Sequence, residues 1–285
     1  MKRMAAFACA VGAVLLLAAG AWAQTPAKHP MTFQDLMKLH RLSEPSMSPD
    51  GKWVAYTVAT PDMEANRNVA NVWISNVASG EAIQVTQGGR DNSPSWSPDG
   101  KTLAFLSGRD GTSQVYLLSL EGGEAKKLTT LSTGADLYKW APDGKTIAFT
   151  SSVYPDCKDD DCNSKRDAEK EKSKVKARIY ENLLYRHWNH WSDGKRSHLF
   201  VVPVEGGAAR DLIAGANYDV PPDERGGAAD INFSPDSKEL CFTAVTDKME
   251  AASRDGRGAG SEMGGERFLW RTPTPVFFVL LCANA

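Results

Sequence analysis

Apolar and polar positions alternate in short runs along the chain, and the runs recur in a fixed order. In "KTLAFLS" (101–107), Leu103 and Phe105 fall on one side of an extended chain, and Thr102 and Ala104 on the other. "KTIAFTS" (145–151) repeats this with Ile147 and Phe149. A period of two predicts half-buried β-strands. Each run follows a tight-turn phrase: "SPDG" at 48 and 97, "APDG" at 141, "SPDS" at 234. Pro49, Pro98, Pro142 and Pro235 preset φ near −65° at the first turn position. Asp50, Asp99, Asp143 and Asp236 suit the second, and Gly51, Gly100 and Gly144 supply the positive φ of the exit. A third strand is expected in "NVWISNV" (71–77), "QVYLLSL" (114–120) and "HLFVVPV" (198–204). "SGEAIQVT" (79–86), "GGEAKKLT" (122–129) and "GGAARDLI" (206–213) each read as a turn and a short fourth strand. A short strand such as "SPSW" (93–96) precedes each turn phrase.

The turn phrases are spaced 49, 44 and 93 residues apart, and the last gap is about twice the period plus an insertion. Four antiparallel strands per repeat of about 45 residues is the pattern of a β-propeller blade. A β-sandwich could hold similar hairpins but gives no reason for phrases in fixed order. The fold class expected is therefore all-β: a partial β-propeller of about four four-stranded blades over residues 24–252, with a helical insertion at about 157–192 in the third.

Inside that insertion the pattern changes. "SKRDAEKEKSKVKARIYENLLYR" (164–186) has no Gly or Pro. Ala168, Val175, Ile179 and Leu183 fall at helical spacing, predicting a helix with one apolar stripe and charged remaining faces. The next stretch packs Tyr185, His187, Trp188, His190 and Trp191 together, with His198 close behind. It reads as an aromatic wedge anchoring the insertion, or as the lining of a substrate cleft, since Trp and Tyr are common where binding surfaces form. His187, His190 and His198 could contact a metal, but no carboxylate pair completes a site, so no metal and no cofactor is expected.

Composition narrows the setting. A formal charge of −2 over 285 residues gives no reason to expect nucleic acid as a partner. Residues 1–23 read as a signal peptide: Lys2 and Arg3, an apolar core, then "AWA", with cleavage between Ala23 and Gln24. The rival is an uncleaved anchor, for which the apolar run is short. After cleavage no membrane span is expected, and the location is exported, either periplasmic or extracellular. Export permits disulfides. Cys157 and Cys162 lie in the polar loop "YPDCKDDDCNSKRD" and are the disulfide candidates, a metal site being the weaker alternative. Cys241, in a strand pattern, reads as a small buried hydrophobe.

"MTFQDLMKLHRLSEPSMSPDGKWVAY", the SPDGK repeats and "KSKVKARIYENLLYRHWNHWSDGKRSHLFVV" together resemble the N-terminal half of secreted bacterial prolyl oligopeptidase-family serine peptidases, of the dipeptidyl-peptidase and acylaminoacyl-peptidase type. The resemblance runs over about residues 31–252. It implies a propeller that restricts a hydrolase domain to short peptides, with peptides and that hydrolase domain as partners. The sequence departs from the family pattern after the propeller. It contains no G-x-S-x-G, and in "GAGSEMGG" (258–265) Ser261 is flanked by Ala259 and Met263. No catalytic residue is assigned. Residues 253–285 turn Gly- and Arg-rich, then apolar, and are expected to be an aberrant, disordered tail, from a shifted frame or a divergent end. The function expected is the substrate-gating propeller of an exported serine peptidase, inactive alone; the alternative is a TolB-like periplasmic protein-binding propeller.

Overall fold

A computed structural model describes residues 29–175, 177–180, 185–187, 189–222, 227–244, 246 and 279–284. The expected signal peptide, its Ala23–Gln24 cleavage point and Trp188 lie outside these residues. The chain divides into two compact units, Met1–Leu39 and His40–Ala285. Among its described residues the first has one short helix, α1 (Phe33–Lys38). Thr32 caps it: its Oγ1 accepts from the Asp35 amide at 3.3 Å, and Asp35 accepts from the Thr32 amide at 3.0 Å.

The second unit is nearly all β, built from antiparallel meanders, each the pattern of one propeller blade. Sheet one takes β1 (Arg41–Met47), β2 (Trp53–Asp62), β3 (Arg67–Asn76) and β4 (Ala82–Gln84) in order. Sheet two takes β5 (Asp91–Trp96), β6 (Thr102–Ser107), β7 (Gln114–Ser119) and β8 (Lys126–Lys127). In sheet three, β9 (Tyr138–Trp140) and β10 (Thr146–Val153) are separated in sequence from the other two strands by an insertion. That insertion holds α2 (Asp160–Lys172) and a small hairpin of β11 (Arg186–His187) and β12 (His190–Trp191). The sheet resumes with β13 (Arg196–Pro203) and β14 (Arg210–Asp211). Sheet four holds β15 (Ile231–Phe233), β16 (Glu239–Ala244) and β17 (Val279–Asn284).

Two expectations about these elements need correction. The second strands of sheets two and three are not half-buried, whereas β2 and β16 keep partial or alternating burial. From Leu103 to Ser107 every residue of β6 is buried, and Ile147 to Ser151 of β10 likewise. Alternation survives as membership of two different cores. Leu103 and Phe105 pack with Ala55, Val72 and Ile74 of sheet one. Ala104 and Leu106 pack with Ile147, Phe149 and Phe200 of sheet three. In β10 the alternate residue Ala148 joins Leu199, Leu240 and Phe242, a core shared with sheet four. A blade thus has two apolar faces because each face meets a neighbouring blade.

The helix of the insertion is also displaced from the expected 164–186. It starts earlier because Asp159 caps it, its Oδ1 accepting from the Cys162 amide at 2.8 Å, with Asp160 and Asp161 favourably placed in the positive first turn. It stops at Lys172, where extended Ser173 ends the ladder. The anticipated apolar stripe therefore never forms: Val175 is 72% and Ile179 90% exposed, and Leu183 lies outside the described residues. Of the expected tail, 279–284 is a strand, and β17 pairs along β16 where a third blade strand was expected; the rest of it lies outside the described residues.

The repeated turns explain their own residues. Ser48, Ser97 and Ser234 each donate from Oγ to the turn aspartate, Asp50, Asp99 or Asp236, at 2.6–2.7 Å. Each serine Oγ also accepts from the amide five residues on, at 2.9 Å. These serine bonds, then the backbone amides of Lys52, Lys101 and Lys238, hold all three carboxyls below the usual carboxylate range. In the third copy Ala141 replaces the serine, and Asp143 keeps the bond from the Lys145 amide. The turns also touch one another. The Pro49 ring lies where a Cβ on Gly100 would meet it at 3.6 Å, and Pro98 stands likewise against Gly144. Ser237 joins the preceding turn as well, its Oγ accepting from the Asp143 amide at 3.0 Å.

Candidate functional site

Beneath the insertion, Tyr154 at the end of β10 is the anchor. The Tyr154 amide donates to Asn163 Oδ1 at 2.9 Å and its hydroxyl to Asp167 at 2.9 Å. Burial first, then the Asp167 bond, push this phenol up to about 12. Arg166 and Lys195 sit over its ring at 4.6 and 5.3 Å. Lys195 also pairs with Asp167 at 2.7 Å, joining the start of β13 to α2. The Cys157–Cys162 disulfide closes the loop into the helix, with Cα atoms 5.5 Å apart. Cys241 is disulfide-bonded as well and only half-buried, so it is not the plain hydrophobe its strand pattern suggested.

Of the aromatic residues expected to wedge the insertion in place, Tyr185 and Trp191 are not buried in a wedge. Tyr185 and Trp191 are 43% and 44% exposed. Tyr180, Tyr185 and Trp191 form a triangle, with ring centroids 5.4, 6.0 and 6.0 Å apart. The Tyr180 hydroxyl donates to the Ser192 carbonyl at 3.2 Å, and the Ser192 amide to the Tyr185 carbonyl at 3.0 Å, so the triangle is tied across its base. Arg178 and Arg186 lie over the Trp191 ring at 5.8 and 5.2 Å. His190 faces out, and its backbone is paired with that of His187. Trp188, between them, lies outside the described residues.

His198, the third candidate of the histidine group, is placed elsewhere. It is 1% exposed in β13, with Nδ1 2.7 Å from Asp211 Oδ2 and Nε2 2.9 Å from the Ala216 carbonyl. Burial disfavours its charged form, yet the bonds to Asp211 and Ala216 outweigh burial and raise its pKa above the ordinary value. Among the described residues no three His, Cys, Asp or Glu side chains converge as a metal site.

Sequence reasoning missed a second constellation, at the first strands of successive blades. β1 and β5 bulge at the same repeat position, and Glu44 and Ser93 there take φ of +56° and +53°. Glu44 reaches from one blade to the next, accepting from the Ser93 amide at 2.7 Å, from Ser93 Oγ at 2.8 Å and from Thr57 Oγ1 at 2.8 Å. The Tyr138 hydroxyl then points from the third blade at the carbonyls of Ser93 and Ala104, at 2.5 and 2.8 Å. Burial first, then the Glu44 charge, push this phenol well above its ordinary value. Trp96 Nε1 donates to the Ser46 carbonyl at 2.9 Å, and Trp140 Nε1 to the Ser95 carbonyl at 3.3 Å. Lys139 continues the series into sheet four, donating to the Ile231 carbonyl at 2.9 Å. The signal available was the shared "EPSM"/"SPSW" phrase before the turn, whose left-handed first residue is not visible as such in a sequence. These residues join blades; their donors and acceptors are directed at one another rather than at an open site.

Residues 37–167 match the family described as TolB beta propeller domain, PD40. That stretch is of the TolB-type β-propeller kind. Its curated relatives include the "Uncharacterized peptidase YuxL" of Bacillus subtilis (strain 168), 31% identical over 232 residues, covering 79% of this chain and 32% of that protein. They also include "Dipeptidyl-peptidase 5" of Porphyromonas endodontalis, 27% identical over 227 residues, covering 78% of this chain and 32% of that protein. The propeller chain thus spans about a third of the length of the curated relatives it matches. Among solved structures, Pyrococcus horikoshii acylaminoacyl peptidase superposes with a TM-score of 0.51 at 16% identity, over 73% of this chain and 28% of that one. That likeness shows a shared fold.

Proposed function

We propose that these residues are the propeller portion of an exported serine peptidase of the dipeptidyl- or acylaminoacyl-peptidase type, gating short peptides. The observation that carries the reading is the similarity to peptidases over more than three quarters of the chain, at about a third of their length. It extends through the insertion-bearing blade, beyond residues 37–167 that match the TolB domain. Export rests on the charge and apolar pattern of residues 1–23. On this reading the 285 residues hydrolyse no peptide by themselves, because they contain no G-x-S-x-G on which a nucleophilic serine would be raised. Chromogenic dipeptide substrates, with and without a serine-directed inhibitor, test this. No turnover above buffer is expected, and inhibitor-sensitive turnover by the purified chain overturns it.

A further inference from the structure

The Tyr180–Tyr185–Trp191 triangle is an exposed surface with an unusual charge setting. Residues 174–196 carry six Lys or Arg against Glu181 and Asp193, a formal +4 within a chain of −2. Lys195 and Arg196 are engaged with Asp167 and Asp219. Arg178 differs: it is exposed, its guanidinium lies over the Trp191 ring, and it makes no hydrogen bond or ion pair among the described residues. A guanidinium above an indole keeps its N–H edge outward, in the fork that matches a carboxylate bidentately. A second guanidinium, Arg186, lies over the same ring. Aromatic rings beside this fork offer low-entropy contact area to the rest of a ligand.

We infer that this triangle and Arg178 form a docking platform for peptides bearing carboxylates, of the Asp- and Glu-rich kind. The inference deepens the peptide-gating reading by naming the chemistry of the peptide, and to that extent rests on it. An acidic peptide is favoured over an anionic membrane by the way the apolar surface is used. The Trp191 ring is stacked within the triangle and overlain by two guanidiniums, rather than presented as a bare wedge to insert between lipids. The platform also stands on a hairpin fixed by its own Tyr180–Ser192 and Ser192–Tyr185 bonds, a preformed surface rather than a helix waiting to fold on a bilayer.

The test titrates the full 285-residue chain with three probes by calorimetry: the acetylated peptide Glu-Glu-Phe-Glu-Glu, its Gln-Gln-Phe-Gln-Gln counterpart, and phosphatidylglycerol vesicles. The acidic peptide is expected to bind at least about tenfold more tightly than the amide one at low salt, with the preference falling as salt rises. Arg178→Gln is expected to weaken it about fivefold, the size of one exposed charge pair. Trp191→Ala, which removes the ring under both arginines, weakens it about tenfold or more. Far-UV circular dichroism and melting of both variants, each expected to match the parent, separate lost docking from lost folding. Equal binding of the two peptides overturns the carboxylate preference while leaving the peptide-gating reading standing. Vesicle binding with no binding of either peptide overturns both in favour of a membrane surface. No change on Arg178→Gln in a folded variant overturns the platform.

Discussion

His198 gives the most discriminating handle on how the third blade is held. Both its ring nitrogens face acceptors: the Asp211 carboxylate at 2.7 Å and the Ala216 carbonyl at 2.9 Å. A neutral imidazole has one N–H, so it satisfies one of these and sets a lone pair against the other. Only the imidazolium donates to both. The ionisable groups around it agree. Asp211 and Asp219 favour the cation, and Asp219 is itself paired with Arg196 at 2.9 Å. Tyr218, its own pKa raised by burial and then by Asp211, stays a neutral phenol near neutrality and adds no charge of its own. The folded pKa of His198 is raised, so its stabilisation is complete below the unfolded value near 6.5 and is lost as pH rises through the folded value.

Two substitutions separate charge from hydrogen bonding. Asp211→Asn keeps an oxygen for the Ile213 amide, now 2.9 Å from Asp211 Oδ1. Its NH2 can donate to Nδ1 of a neutral His198, whose Nε2–H serves Ala216. Every partner remains satisfied, and what disappears is the difference between a charge-assisted and a neutral bond, about 1 kcal/mol. His198→Phe leaves the half-buried Asp211 carboxylate and Ala216 carbonyl without their donor and is expected to cost about 2 kcal/mol. The assay is urea unfolding of the parent and both variants from pH 5.5 to 8.5, with an NMR titration of the His198 ring. The Asp211→Asn deficit should be largest at pH 5.5 and shrink as pH rises. A His198 pKa at or below 6.5, or a deficit independent of pH, refutes the doubly donating imidazolium.

Other expectations follow from the turns, the disulfide and the blade joints. Ser97→Ala should cost about 1 kcal/mol in urea unfolding, through the lost bonds to Asp99 and from the Thr102 amide. Because the Asp99 carboxyl is depressed, that deficit should be full above about pH 4 and fade as pH falls through the folded value. Ala141→Ser should recover a comparable amount by rebuilding the same turn. Replacing Cys157 and Cys162 by Ser opens a loop of five residues' separation, for which chain entropy gives about 2 kcal/mol at most. Hydrogen exchange should show the loss first in α2. Phe105→Ala, at a fully buried position between sheets one and two, should cost about 3–5 kcal/mol and shift the denaturation midpoint accordingly.

The blade was legible because its repeat is written twice, in turn residues and in alternation. What alternation alone could not tell was that the polar side of a strand such as Thr102–Ser107 is buried too. Thr102 is polar and Ala104 is small, so that face reads as half-exposed until a second blade is set against it. The insertion was misread for a related reason. Helix-forming residues continue past Lys172, but propensity is a weak prior, and the Tyr180, Tyr185 and Trp191 contacts hold the following chain in another conformation. No local pattern announces a contact among rings spread over a dozen residues.

The recurrence of S-P-D-G has a further reason that only neighbouring copies supply. Any one turn could be made by many sequences, since Asn-Gly or Gly-Gly would close a hairpin as well. Pro49 against Gly100, Pro98 against Gly144 and Ser237 against Asp143 tie the choice in one blade to the choice in the next. A side chain at Gly100 would find ordinary contact with the proline of the preceding copy at 3.6 Å, but would have to adopt φ of +71°. The inner strands repeat the logic, with Trp96 and Trp140 each donating to the strand one blade earlier. The phrase is therefore kept alike from blade to blade by contact between copies. Its weakest copy, with Ala141 for serine, still bears Pro142 and Gly144, the turn's fixed φ and the positive-φ residue that receives Pro98. Serine contributes stability inside one turn, whereas the exit position calls for a positive φ, met by Gly51, Gly100 and Gly144 in three copies and by Ser237 at +62° in the fourth.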